Sequence, residues 1–174
     1  FLVPSSIQNI KESITSRITI ELAEKFLNSR DLDILKTRIL SSSGFHCWAM
    51  KPGKKNSCFS PMKNGDIVLF KPNKTDNDSG VFKYRGEVIY KVFCPDLGDF
   101  LWSEGSEWHY IYFLEKIKEI HIRHSDLAKK LNYENKNPKV LPGVFRVDPN
   151  RITNYVLSDH GNIDDFLTSL NDLS

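Results

Sequence analysis

Residues 45–122 set the limits on the fold, because there the spacing of apolar side chains leaves the helical period. Before that stretch, Ile7, Ile10, Ile14, Ile18, Leu22 and Phe26 recur every three or four positions. That is the stripe of an amphipathic helix, with Ser5 or Ser6 placed to cap it. A shorter helix is predicted over residues 31–40, with Leu32, Leu35 and Ile39 on one side, until Ser41-Ser42-Ser43-Gly44 breaks the pattern. Strand-like runs then follow one another: residues 45–50, residues 66–70 after an Asn64-Gly65 turn, and residues 81–92, where Gly86 marks a bulge or bend. Residues 71–80 read as a polar, mobile loop and residues 95–98 as a turn. A long strand over 110–122 comes next, then a helix over 127–131, a loop over 132–138 and a strand over 144–147. Short helices start from Arg151 and Ile163.

Strands bunched in the middle with helices at both ends predict an α+β fold around a mostly antiparallel, barrel-like sheet. At 174 residues one domain is the default. It would comprise a helical segment (1–43), a barrel core (44–125) and C-terminal helices with a short strand (126–174).

Composition narrows the function classes. Hydrophobic residues at 40% and charged residues at 26% describe an ordinary globular chain. No apolar run approaches the ~18 residues that cross a bilayer, so no membrane partner is expected. The sequence starts at Phe1 without a methionine and reads as a fragment, with further domains or a nuclease subunit outside it. Three cysteines, Cys47, Cys58 and Cys94, lack CxxC spacing and predict reduced thiols in a cytoplasmic setting. His121 and His124 have no cysteine pair to complete a zinc site and read as solvated histidines. Neither a metal nor a cofactor is expected.

Charge and aromatic placement point one way. The net charge is only +2, yet residues 34–65 hold no acid and include Lys36, Arg38, Lys51, Lys54, Lys55 and Lys63. Such a stretch would offer phosphates a local footprint, whereas Asp159, Asp164, Asp165 and Asp172 make the C-terminal end repel them. The three tryptophans, Trp48, Trp102 and Trp108, lie beside small or polar residues in loop-like contexts. Indole faces in such places suit a planar base, although partly buried anchoring residues are the plainer alternative.

Enzymatic signatures are missing. There is no GxxxxGK[ST], GxGxxG, GxSxG or HExxH. Glu115-Lys116-Ile117-Lys118 puts lysines one and three places after the glutamate, where a metal-dependent nuclease needs two. His46 and Cys47 cannot form a nucleophile–base dyad as strand neighbours, because adjacent side chains point apart.

Taken in order, Gly44-Phe45-His46-Cys47-Trp48-Ala49, Asn64-Gly65-Asp66-Ile67-Val68-Leu69-Phe70, Gly86-Glu87-Val88, and Leu101-Trp102 through Trp108 into Tyr110-Ile111-Tyr112-Phe113 resemble the EVE and YTH branch of the PUA-like superfold. The resemblance spans about residues 44–125. Domains of this kind also serve as N-terminal specificity modules of McrB-type, modification-dependent restriction systems. The resemblance implies a PUA-like pseudo-barrel and a non-catalytic reader of a methylated base swung into an aromatic cage. Trp48, Trp102 and Trp108 would supply the walls, and the Ala49 carbonyl would accept the exocyclic N–H of the base. Five residues separate Trp102 from Trp108 where YTH readers have four, and the polar side chain those readers aim at the ring nitrogens has no counterpart. Lys51, Lys54, Lys55, Lys83, Arg85 and Arg123 would neutralise phosphates. Methylated DNA is the first partner implied. A reader of N6-methyladenine in RNA, a nuclease and a peptide-binding module are the alternatives.

Magnitudes bound such a cage. Stacking on indole contributes about 1–3 kcal/mol per base and can offset the few kcal/mol of base extrusion. One buried methyl adds only ~0.8 kcal/mol, about a fourfold preference.

Overall fold

The structure is a computed structural model, and it describes residues 1–39, 44–51, 58–73, 80–102, 107–133 and 143–171. Five strands form an open mixed sheet in the order β1-β3-β4-β5-β2, with helices before, between and after them, so the architecture is α+β. The strands are β1 (Leu2–Ser5), β2 (His46–Met50), β3 (Ile67–Pro72), β4 (Val81–Phe93) and β5 (Tyr110–Arg123). β1 runs parallel to β3, with Leu2 opposite Leu69, and β2 runs antiparallel to β5, with Trp48 opposite Tyr112.

The chain forms two compact units that alternate along the sequence. One holds Phe1–Ile7, Leu69–Arg85 and Lys118–Ser174. It includes β1, whose Leu2 also exchanges backbone bonds with Phe145, and the helices α5 (His124–Lys130), α6 (Pro149–Ile152), α7 (Ser158–His160) and α8 (Ile163–Asn171). The strand predicted over 144–147 is therefore reduced to this single bridge at Phe145. Phe166, Leu167 and Leu170 form the buried stripe of α8. Asn162 caps its first turn by accepting from the Asp165 N–H at 2.8 Å.

The other unit holds Gln8–Val68 and Gly86–Ile117. Its core gathers Phe45, Cys47 and Ala49 from β2, Ile111 and Phe113 from β5, Leu35 from α3 (Ser29–Arg38) and Leu97 from α4 (Pro95–Trp102). The single helix predicted over residues 7–26 is broken. α1 (Ile7–Ile10) widens into a π turn at Lys11–Thr15, Ser16 is extended, and α2 (Ile20–Ala23) starts afresh. Local chemistry favours the break. The β-branched run Ile18-Thr19-Ile20 is a poor helix former, and the Thr19 side chain caps α2 by accepting from the Leu22 N–H at 3.2 Å. Ile18 then exchanges two backbone bonds with Phe45, at 2.7 and 3.0 Å.

Two other expectations change. Residues 95–98 form no turn but open α4, where Pro95 needs no N–H and Asp96 suits the first turn. Gly86 is no bulge either: β4 runs through it unbroken, and a Cβ there would lie 2.7 Å from Ile117 Cδ1. The irregularity sits in β5, where Lys116 takes φ +53°. Asn64-Gly65-Asp66 is the turn expected, with Gly65 at φ +83° and the Asp66 carboxylate accepting from the Lys63 N–H at 2.6 Å.

Candidate functional site

Strand parity decides what β2 offers. Phe45 spends both its N–H and its C=O on Ile18, on the side of the strand away from β5. Backbone groups alternate sides along a strand. Cys47 and Ala49 therefore also turn their N–H and C=O away from β5, while His46, Trp48 and Met50 bond to it. Among the described residues no backbone group takes up the outward pairs of Cys47 and Ala49. Buried backbone groups are rarely left so. Among the described residues the Ala49 carbonyl thus faces the outer side of β2, in a residue only 2% exposed whose side chain lies in the core and whose strand is packed by the π turn at Lys11–Thr15.

The tryptophans do not share one face of that strand. Trp48 is not in a loop: it lies within β2, exposes only 6% of its surface, and leaves the strand on the side opposite Cys47 and Ala49. Trp102 ends α4, and its indole Nε1 donates to Ser13 Oγ at 3.3 Å. Trp102 and Trp108 are both half-buried and pack against the cluster that contains Cys47 and Ala49. Trp108 is held by its backbone. Gly98 lies so near that a Cβ would come within 2.5 Å of the Trp108 carbonyl oxygen, and Glu107 just before it takes φ +59°. Next along, His109 accepts the Cys94 N–H at 3.0 Å and sets its Nε2 3.2 Å from Asp99 Oδ1.

The predicted cations part company. Lys51 is exposed and stands over the Trp108 ring, its Nζ 5.2 Å from the centroid. Lys54 and Lys55 lie outside the described residues, as does the loop at 103–106. Lys36 is paired with Glu24 at 2.6 Å, and Arg38 donates to the Ile89 carbonyl at 3.0 Å. In the other unit, Lys83 is half-buried and Arg123 is exposed just before α5. Arg85 corrects the sequence reading outright: it is 4% exposed and ion-paired with Asp164, so it offers no face to phosphate. Its stem is buried, which is why α8 supplies a carboxylate. The supposed phosphate repulsion of Asp164 is spent on that pair.

Burial shifts three titratable groups of the unit that holds β2. Burial pushes the Cys47 thiol far above its ordinary value, so it is no nucleophile. Burial, then the Arg17 charge, lowers His46, whose Nδ1 sits 3.1 Å from the Ser16 carbonyl oxygen. Burial likewise raises Tyr112 well above a normal phenol. Its hydroxyl finds no hydrogen-bond partner among the described residues. Among those residues no three His, Cys, Asp or Glu side chains gather as a metal site would need. No described helix is long and apolar enough to cross a membrane.

Sequence reasoning missed Ser13, Gly98 and Glu107. Ser13 was one hydroxyl on a presumed helix face, and Gly98 looked like a turn residue. The strain at Glu107 has no signature in residue type, since glutamate seldom adopts positive φ.

No known family's sequence profile matches the chain, and no curated protein matches it in sequence. A solved structure does: the N-terminal domain of Thermococcus gammatolerans McrB bound to m5C DNA. It aligns with a TM-score of 0.64 at 18% identity, over 87% of this chain and 91% of that one. The two chains share a fold. It is the McrB-type fold that the sequence resemblance named, built on an open mixed sheet where a mostly antiparallel pseudo-barrel was expected, and it extends beyond residues 44–125 to nearly the whole chain.

Proposed function

We propose that this chain is a non-catalytic module that binds methylated DNA and holds one modified base, swung out of its strand, between indole rings. The observation that carries the reading is the outward Ala49 carbonyl, which no described backbone group takes up, in the same core cluster that Trp102 and Trp108 pack against. The shared fold of a McrB domain bound to m5C DNA supports it. In this reading Trp102 and Trp108 present accessible indole surface and Ala49 accepts an exocyclic N–H, while Trp48, buried on the other face of β2, supports the strand from behind. Lys51 meets the phosphate beside the base, helped by Lys54 and Lys55. The module would belong to a modification-dependent restriction system, where other polypeptide carries the nuclease.

A cytosine with a 5-methyl group fits this division of labour. Its amino group supplies the N–H for Ala49, and its methyl can bury against indole for about 0.8 kcal/mol. A binding titration tests the reading, with 5-methylcytosine, N6-methyladenine and unmodified bases in otherwise identical DNA and RNA. Tighter binding of 5-methylcytosine DNA, by about fourfold or more, is expected. A preference for N6-methyladenine RNA would move the module to the other branch of the fold, and equal binding of all oligonucleotides would end the reading. Incubating DNA with Mg²⁺ should leave it uncut.

A further inference from the structure

One part of the second unit is unused by the site above. Phe93, at the end of β4, exposes 55% of its surface. Its ring packs on Tyr110 at 5.0 Å and stands 6.1 Å from His109, nearly at right angles. Tyr110 meets Phe59 edge-on at 5.2 Å. Beyond Phe59, the Lys91 ammonium sits 4.9 Å from the ring centroid and donates to the Phe59 and Ser60 carbonyls at 2.6 and 2.8 Å. An ammonium has three donors, and among the described residues these two carbonyls take two of them. The row also begins where the site ends. Trp108, His109 and Tyr110 are consecutive, and Met50 lies opposite Tyr110, so Lys51 follows at once. A lysine thus stands at each end of an aromatic row. Two carboxylates lie by the row: Asp99, 3.2 Å from His109 Nε2, and Asp66, whose charge acts on Lys91.

We propose that Phe93, with Tyr110 and Phe59 behind it, is a second stacking subsite that seats an unpaired nucleobase next to the modified one. The proposal rests on the modified-base reading for its register along the strand. The occupant is single-stranded nucleic acid, because flat rings flanked by cations match bases flanked by phosphates. A base still paired in a duplex cannot present its face to Phe93. The subsite therefore favours DNA already opened around the modification.

The test uses the whole chain and oligonucleotides with 2-aminopurine next to 5-methylcytosine, single-stranded or fully paired. Wild type should quench 2-aminopurine in the single strand, and Phe93→Ala should lose the quenching and bind roughly 5- to 150-fold more weakly. Phe93 is exposed, so the variant's circular dichroism should match wild type. Unchanged quenching and affinity in Phe93→Ala, with methyl preference kept, overturns this proposal and leaves the modified-base reading standing. Phe93-dependent quenching without methyl preference overturns that reading and keeps the stacking subsite. Failure of wild type to bind any oligonucleotide overturns both. A dimer in sedimentation that Phe93→Ala dissolves overturns the subsite, the row then being a contact between copies.

Discussion

Lys51 and Arg85 look interchangeable in the sequence, each a cation beside aromatic or apolar residues, and the structure separates them. Lys51 ends exposed, over the Trp108 ring; Arg85 ends 4% exposed, bound to Asp164. The difference teaches that a charge counts toward a ligand only when folding leaves it solvated. Arg85 leaves β4 on the face opposite Phe82 and Val88, where it meets Asp164 of α8, and once buried it needs a carboxylate more than the protein needs a phosphate contact. Lys51 sits just past the end of β2, where nothing draws it in.

The contrast is broken most sharply at Asp164. Asp164→Asn leaves Arg85 buried without its counter-charge and should cost about 2–3 kcal/mol, less than a fully buried pair because Asp164 is itself exposed. That corresponds to a melting temperature lower by roughly 4–12 °C, with DNA affinity unchanged. Reduced affinity at unchanged stability would mean Arg85 faces ligand after all. Trp108→Ala should weaken binding of methylated DNA by about 1–3 kcal/mol while the melting temperature moves little. Unfolding instead would make Trp108 a structural anchor.

Smaller effects refine the picture. Glu107→Gly relieves a left-handed conformation and should stabilise by up to ~1 kcal/mol. Any fall in binding would then report the loss of a fixed Trp108, not of folding. Lys51→Ala should flatten the dependence of log affinity on log salt by about one unit, whereas Arg85→Lys should leave it alone. Last is pH. Burial lowers the folded pKa of both His46 and His124. Each therefore adds stability that is full above its unfolded value near 6.5 and lost as pH falls through that value toward the folded one. Melting temperature should drop between about pH 7 and pH 5, and His46→Gln should shrink the drop.

Much of this was legible beforehand, and the failures have causes. The change of period at residue 45 announced β2, and the apolar runs at 67–70 and 110–114 announced β3 and the start of β5. The N-terminal stripe misled because Ile14, Ile18 and Leu22 do all face apolar surroundings, through a helix, a bridge and a second helix in turn. Periodicity records which residues are buried, not whether the chain between them stays helical. α4 was hidden because Pro95 and Gly98 are turn residues by composition. The glycine is there for a different reason, namely the close pass of the Trp108 carbonyl. Trp48 was misjudged by its small neighbours, which are small because they pack in the core. The fate of Arg85 depended on Asp164, 79 positions away. No local pattern carries that.

The strap that Ile18 lays across Phe45 has a consequence for solubility. A bare sheet border invites another strand to add on, the usual start of polymerisation. Here one end of the border is already occupied, and among the described residues only two outward residues, about 7 Å of chain, stay without a backbone partner. A stretch that brief cannot hold a second polypeptide in register. Its length matches a single heterocycle, so on the reading proposed above the same border would suit one base better than a second strand.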